Sequence, residues 1–357
     1  MRAVETIGAL QAQHWPAPPV ALASRVHGFA LADLFAALQR GDLVAGTLLR
    51  ATLHLVSARE HPAYAAVVVA AGSDDWRRTD AQPGAQVEQL QAQLRAYAQS
   101  ATRTNTEIAA FIEDWVQHHP EVLDRRELEQ QRALGWRTFL RSSALVRAPL
   151  DGRWSAKTPA AYRAAPSPAD AGSPRAPVST ESALDTIVRR HLRAFGPAGA
   201  EDIASWIGTR LPPVRAALQR LAPELVALRD EEGRPLHDLP DSPRPHPEVA
   251  APPRLLAAFD SVLLAYASKR RARILPDAHR DAIYERANLR IRPSFLIDGL
   301  VAGTWSLQSA RREATLTLRP LVRLDRTTRG ALAQEAERVL EVVQPAASAH
   351  KVLFERG

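Results

Sequence analysis

The tetrapeptide Leu-Gln-Ala-Gln occurs twice in the chain, at Leu10–Gln13 and at Leu90–Gln93. Two glutamines two residues apart can do chemistry together only if both side chains reach one point. They would then bring two neutral amide dipoles to it, able to stabilise a developing charge or orient a water without a titrating group. Backbone conformation decides this. On a helix, residues two apart diverge by about 200°, whereas in an extended segment they project to the same side.

The second copy lies in VEQLQAQLRAYAQ, where Val87, Leu90, Leu94 and Tyr97 form a helical stripe without Pro or Gly. Gln91 and Gln93 therefore diverge, and this copy reads as a solvated helix surface. In the first copy Ile7 and Leu10 suggest a short helix, but Trp15 precedes Pro16, and Pro18 and Pro19 follow. A residue before proline is pushed out of the helical region, so the chain becomes extended here. Gln11 and Gln13 then face one way and Ala12 faces the core. Spacing by itself favours the plainer alternative, that the two glutamines cap a helix C-terminus.

The elements that must position these residues follow a recurring plan of helices and a hairpin. In SALDTIVRRHLRAF, Leu184, Ile187, Val188, His191, Leu192 and Phe195 fall on one side of a helix. AEDIASWIG and LPPVRAALQRLA supply a second and third helix, and ELVALRDEEGRPLHDL a strand, turn and strand. Three helices and a β-hairpin make a winged helix, a helix-turn-helix variant. A second copy is read upstream, in EIAAFIEDWVQHH, LDRRELEQQRA with Asp124 as N-cap, LGWRTFLRSS, and a hairpin around Asp151-Gly152 in ALVRAPLDGRWSAK. A third is read in LADLFAALQRGDL and VAGTLLRATLHLVS. AAPSPADAGSPRAPVST and PDSPRPHPEVAAPP read as linkers. After them come a hairpin turning at Asp298-Gly299, an alternating strand REATLTLRPLVRL and the amphipathic helix TTRGALAQEAERVLEVV.

The expected organisation is therefore residues 1–80 as an N-terminal winged-helix-like module and 81–165 as a second module, then a linker over 166–180. A third module follows over 181–245, and a β-rich C-terminal domain with its closing helix over 246–357. The fold class is α+β, tandem winged helices with a small C-terminal β domain.

Composition narrows the function classes. The 357 residues suit two or three domains. No apolar run approaches the roughly 18–20 residues of a membrane span, no hydrophobic signal region opens the chain, and a cytoplasmic protein without a membrane partner is expected. Without cysteine, disulfides, iron–sulfur clusters and Cys-type zinc sites are excluded. The 11 His make no metal-ligand pattern, so neither metal nor cofactor is expected. Net charge is +7, and all of the 46 basic residues but Lys157, Lys269 and Lys351 are arginine. An Arg-rich codon bias explains part of this, but a basic fold without a basic tail also suits nucleic acid. No phosphate loop, GxGxxG fingerprint or nucleophile elbow points to a small-molecule enzyme. A non-catalytic winged-helix DNA-binding regulator is the standing alternative. Such proteins usually dimerise, whereas tandem modules without a long coiled-coil helix predict a monomer here.

Five segments, in order, resemble blocks of the AlkZ-like winged-helix DNA glycosylases: IGALQAQHWPAPPVALASRV, RATLHLVSAREHP, RAFGPAGAEDIASWIG, LLAAFDSVLLAYASKRRARILPDAHR and PSFLIDGLVAGTW. Together they span nearly the whole chain. The resemblance implies a C-shaped arrangement of the modules and a glycosylase removing bulky or crosslinked N7-alkylpurines from duplex DNA. It also allows self-resistance against a DNA-alkylating toxin, in a bacterial, nucleoid-associated protein. Its signature, Gln-aliphatic-Gln, falls on Gln11-Ala12-Gln13. Gln13 would orient the water and Gln11 would stabilise the sugar cation. Arg50, Thr52 and His54 would support the site, with a packing role favoured for His54. Arg25, Lys269, Arg270, Arg271, Arg273, Arg290 and Arg292 would hold DNA, and the Asp298-Gly299 hairpin would probe it. With so few lysines, base excision without strand nicking is expected. Two departures stand out: Ala51 occupies the place of a usual Gly, and Met1 lies only ten residues ahead of Gln11.

Overall fold

The computed structural model describes residues 1–76, 85–136, 143–155, 158–166, 178–246, 248–285, 290–310 and 312–355. The chain is a mixed α+β protein that divides into two units, each assembled from separate stretches. The first unit comprises Met1, Ala37–Arg189 and Ile207–Leu221, and the second Arg2–Ala36, Arg190–Trp206 and Ala222–Gly357.

In the first unit a sheet runs, in spatial order, Leu53–Ser57, Leu43–Thr47, Leu145–Arg147, Ala161–Ala164 and Arg103–Thr104. Neighbours pair antiparallel. The strands Leu43–Thr47 and Leu53–Ser57 are buried throughout, which is why both read as nearly continuous apolar runs. The helix Ala85–Ser100 contributes Leu90, Leu94 and Ala98 to a core with Ile108, Ile112, Trp115 and Leu145. Two neighbouring helices start on side-chain caps: Thr104 and Glu107 form a reciprocal capping box, and Asp124 accepts the Glu127 amide at 2.7 Å. Asp124 thus caps its helix as its position in LDRRELEQQRA suggests.

One hairpin departs from expectation. Asp151-Gly152 does form a turn, with Gly152 at φ 72. The strand that pairs back is nevertheless Ala161–Ala164, in register Leu145↔Ala164 and Arg147↔Tyr162. That later return brings Tyr162 against the core cluster, which buries its ring. Residues 137–142, in the predicted helix LGWRTFLRSS, lie outside the described residues.

In the second unit the sheet order is Ala349–Phe354, Glu313–Pro320, Leu300–Ala310, Ser294–Ile297 and Arg254–Leu256. All pairs are antiparallel except Glu313–Pro320 with Ala349–Phe354. The pairs Leu296↔Val301 and Ile297↔Leu300 close the hairpin over Asp298 and Gly299, whose φ values of 49 and 76 are both left-handed. That combination suits a two-residue hairpin loop, and Asp-Gly is among its preferred sequences. The helix Arg326–Val343 starts on Asp325, buries Leu332, Ala336, Val339 and Leu340, and packs on Ala17–Ala23 and Arg254–Leu256. A two-stranded hairpin pairs Val226–Arg229 with Pro235–Asp238, where ELVALRDEEGRPLHDL predicts one. Among the described residues no helix is long and apolar enough to cross a membrane.

Candidate active site

The first Leu-Gln-Ala-Gln belongs to the second unit, and its local structure follows from its neighbours. The helix Arg2–Ile7 ends at Gly8, which has φ +81, and Ala9 follows at φ +78. A β-carbon on Gly8 would sit 3.2 Å from the Ala194 Cβ, so glycine serves both the turn and the close approach. Ala9 does carry a β-carbon, at a cost of about 1–2 kcal/mol for the left-handed conformation. This double reversal aborts the helix and lays Leu10–Gln11 out as a short strand. Past Pro16 the chain re-enters a helix, Ala17–Ala23, which is buried along its whole length. Sequence reasoning missed this helix because it carries Pro18 and Pro19. Both sit in the first turn, where a missing N–H costs nothing.

Within the motif Gln11 is buried, Ala12 is wholly buried and Gln13 is exposed. The Gln13 backbone N–H donates to Gln11 Oε1 at 2.9 Å. This bond joins the two motif residues and fixes the direction of the Gln11 amide, while using one of the two lone pairs on its carbonyl oxygen. His14, next in the chain, has its pKa lowered by partial burial and by the positive charge of Arg290. Arg290 therefore stands near the motif. The second copy, in the first unit, is helical as expected: Leu90 and Leu94 are buried and Ala92 and Gln93 exposed.

The peptide ahead of Gln11 is held by a segment far along the chain. Ser261 Oγ donates to the Ala9 carbonyl at 2.8 Å. Ser261 opens the short helix Ser261–Leu264, and Asp260 caps it by accepting the Val262 amide at 3.1 Å. The Asp260 carboxylate also takes both prongs of the Arg25 guanidinium, at 2.9 and 2.6 Å. Its side chain is 1 % exposed. Taking Arg25 away would leave that charge buried and alone, which costs about 3–5 kcal/mol. Phe259, just before, is left-handed at φ 57.

The same stretch is anchored twice more. His191 Nε2 donates to the Ala265 carbonyl at 2.8 Å, and burial lowers the His191 pKa to about 4, keeping the ring neutral. Asp202, fully buried, accepts the amides of Ala267 at 2.9 Å and Gly199 at 3.0 Å. It also pairs with Arg270 at 2.9 Å, and Glu201 takes the other prong of Arg270 at 2.7 Å.

These contacts revise the placement of two cations. Sequence reasoning assigns Arg25 and Arg270 to DNA phosphate, but both guanidinium groups are engaged by carboxylates. Arg25 is matched by Asp260 and Arg270 by Asp202 and Glu201. A cation so neutralised exerts little net pull on phosphate. Of the remaining set, Lys269, Arg273, Arg290 and Arg292 are exposed, with Arg292 paired to Glu285 at 2.5 Å. Arg271 donates to the Tyr266 carbonyl and lies over the Tyr284 ring, and Arg273 donates to the Pro197 carbonyl and lies over Tyr266. Asp298 is exposed at its hairpin tip.

Arg50, Thr52 and His54 form their own group in the first unit. The Thr52 hydroxyl donates to the Leu49 carbonyl at 3.1 Å, tightening the turn. His54 is buried, with Nδ1 on the Thr52 carbonyl at 2.9 Å and Nε2 accepting from Arg50 at 3.2 Å. Burial first, and Arg50 second, lower its pKa to about 3. A neutral ring with its proton on Nδ1 suits both partners. Arg50 and Ala51 are left-handed at φ 55 and 51. The Arg50 backbone rests on Gly208, where an added β-carbon would lie 2.8 Å from its Cα.

No group of three or more His, Asp or Glu among the described residues is placed to hold a metal. Asp260 and Ser261 escaped the sequence reading although they lie in a family-like block. An Asp ahead of an apolar run is a visible N-cap signal, but nothing local shows that its partners are Arg25 and Ala9.

The profile described as "DNA glycosylase AlkZ-like" matches residues 4–342. An interstrand DNA cross-link repair glycosylase from Streptomyces sahachiroi is 28% identical over 276 residues, covering 72% of this chain and 69% of that protein. The solved structure of the Streptomyces sahachiroi DNA glycosylase AlkZ superposes with a TM-score of 0.77 over 99% of this chain and 92% of the other, at 23% identity. This chain therefore belongs to the AlkZ-like family and is a DNA glycosylase.

Proposed function

We propose that the protein hydrolyses the N-glycosidic bond of bulky or crosslinked N7-alkylpurines in duplex DNA, with Gln11 and Gln13 as its catalytic residues. The observation that carries this reading is the buried Gln11 amide, aimed by the Gln13 N–H at the end of a two-residue strand. Support for crosslinks as substrates comes from the relative named for interstrand cross-link repair. Self-resistance to a DNA-alkylating toxin is the setting that suits such a substrate.

The chemistry fits neutral amides. Alkylation at N7 leaves the base positively charged, so it departs as a neutral leaving group with the bonding electrons. Positive charge then builds on the sugar, and a carbonyl dipole from Gln11 stabilises it. Gln13 orients the water that adds to C1′, and the water's proton passes to solvent because an amide cannot serve as a true general base. No amine takes part, so the abasic strand is left intact. Lys269, Arg271, Arg273 and Arg290 hold phosphates, with Arg292 joining them only by exchanging its Glu285 partner for phosphate, and the Asp298-Gly299 hairpin probes the duplex. Arg50, Thr52 and His54 support the site from their own turn. The architecture proposed is three tandem winged-helix modules over 1–80, 81–165 and 181–245 with a C-terminal β domain, in a C-shaped monomer.

The test is base release from a duplex carrying one N7-alkylguanine, comparing wild type with Gln11→Ala and Gln13→Ala. Release lost in both variants while DNA binding persists supports the reading. Wild-type release by either variant overturns its assignment, and borohydride trapping of a protein–DNA adduct would overturn the absence of an amine step.

A further inference from the structure

A carboxylate buried beside a glycosylase motif invites a catalytic role, and Asp260 is such a group. Its oxygens are already taken: Oδ1 by Arg25 and the Val262 amide, Oδ2 by Arg25. It has no geometry for protonating a base or activating a water. What it does is fix the start of the helix Ser261–Leu264, and thereby the direction of the Ser261 hydroxyl. That hydroxyl reaches one acceptor, the carbonyl of Ala9, the left-handed residue two before Gln11.

We propose that Ser261, seated by the Arg25–Asp260 pair, is a positioning residue of the glycosylase reaction: its hydroxyl holds the reversed peptide at Ala9 and so sets where Gln11 and Gln13 point. This rests on the assignment of those glutamines as catalytic. Three further observations support it. Leu10–Gln11 is only two residues of strand, so its direction depends on what holds its ends. Ala9 occupies a conformation that alanine avoids, and a bond to its carbonyl opposes its relaxation. The Ser261 segment is itself anchored beyond its helix, through Ala265 to His191 and through Ala267 to Asp202. A hydroxyl on so fixed a base can define a position, whereas one on a mobile loop could only follow.

Misplacement of a catalytic group by about 1 Å can lower a rate about 100-fold. Ser261→Ala is therefore expected to slow single-turnover excision of N7-alkylguanine at least about 10-fold, with DNA affinity within about twofold of wild type. Ser261→Thr, which keeps the hydroxyl, should recover most of the rate. Arg25→Lys keeps the charge but loses the two-pronged grip. It should also slow excision with affinity unchanged, and it carries the test if Ser261→Ala does not fold. A merely structural role would lower the melting temperature and leave the rate of the folded fraction intact. That result overturns the proposal, as does a loss of DNA affinity in Arg25→Lys matching its loss of rate, which would mark Arg25 as a phosphate contact. Gln11→Ala and Gln13→Ala are run alongside. Inactive glutamine variants with a wild-type Ser261→Ala overturn the positioning role alone, whereas active glutamine variants overturn the catalytic assignment and this proposal with it.

Discussion

The two copies of Leu-Gln-Ala-Gln are identical in sequence and opposite in use. At Leu90–Gln93 the segment continues a helix, Leu90 enters a core, and Gln93 is exposed while Gln91 is half-buried. At Leu10–Gln13 two left-handed residues stop the helix, Ala12 is the wholly buried residue, and Gln11 is drawn inside. The leucines do the same work in both places. What differs is the backbone, and its cause lies outside the tetrapeptide: Gly8 on one side, Pro16 on the other, and Ser261 from a distant part of the chain. Four residues carry no function until their flanks choose a conformation.

The largest expected difference is catalytic. Gln11→Ala and Gln13→Ala should each lower base excision about 100-fold or more, while Gln91→Ala and Gln93→Ala leave it unchanged, as read by released base in single turnover. A loss in the second pair would break the comparison. Next is packing. Ala12 is wholly buried, so Ala12→Leu should destabilise by about 1–3 kcal/mol, whereas Ala92→Leu on an exposed helix face should shift stability by less than about 0.5 kcal/mol. Chemical denaturation of both variants decides this.

Acid should separate chemistry from fold. Burial chiefly holds the pKa of His54 at about 3 and those of His61 and His191 at about 4, against 6.5 for an ordinary imidazole. Between those values and 6.5 the unfolded chain binds more protons than the folded one. Stability is therefore full above pH 6.5 and is lost progressively as pH falls towards about 4, and for the His54 contribution towards about 3. The glutamine pair does not titrate, so excision per folded molecule should stay flat while the melting temperature drops. A bell-shaped rate profile would instead reveal a titrating catalytic group. The smallest effect is local: Ala9→Gly removes the left-handed penalty and should change stability by about 0.5–1 kcal/mol at most, because added chain freedom offsets the relief.

Much of the architecture was legible. Leu184, Ile187, Val188, His191, Leu192 and Phe195 all turn inward on the helix Thr180–Phe195, as their spacing requires. Asp298-Gly299 turned where its dipeptide predicts, because that turn is decided locally. The return strand at Ala161–Ala164 was not legible, since the pairing follows a tertiary core and not the Asp151-Gly152 turn. In the site, the buried Ala12 matches the expectation, but the extended backbone is laid out by the reversal at Gly8 and Ala9 and ends at Gln11; Gln13 lies exposed in a bend, so the two glutamines do not share one face as the prolines predict. Arg25 could not be understood from its surroundings: its carboxylate partner is 235 residues away. A cation's chemistry depends on its nearest anion, which one-dimensional order conceals.

The bond between Ser261 and Ala9 spans 252 positions of the chain. A ribosome adding about 5–20 residues per second needs roughly 10–50 s to cover that interval. Throughout it the glutamines exist as covalent structure but lack the partner that orders the peptide ahead of them. Competence for repair would thus switch on late in translation, and unfinished chains released from stalled ribosomes should be inert towards the genome even where their first helices have formed.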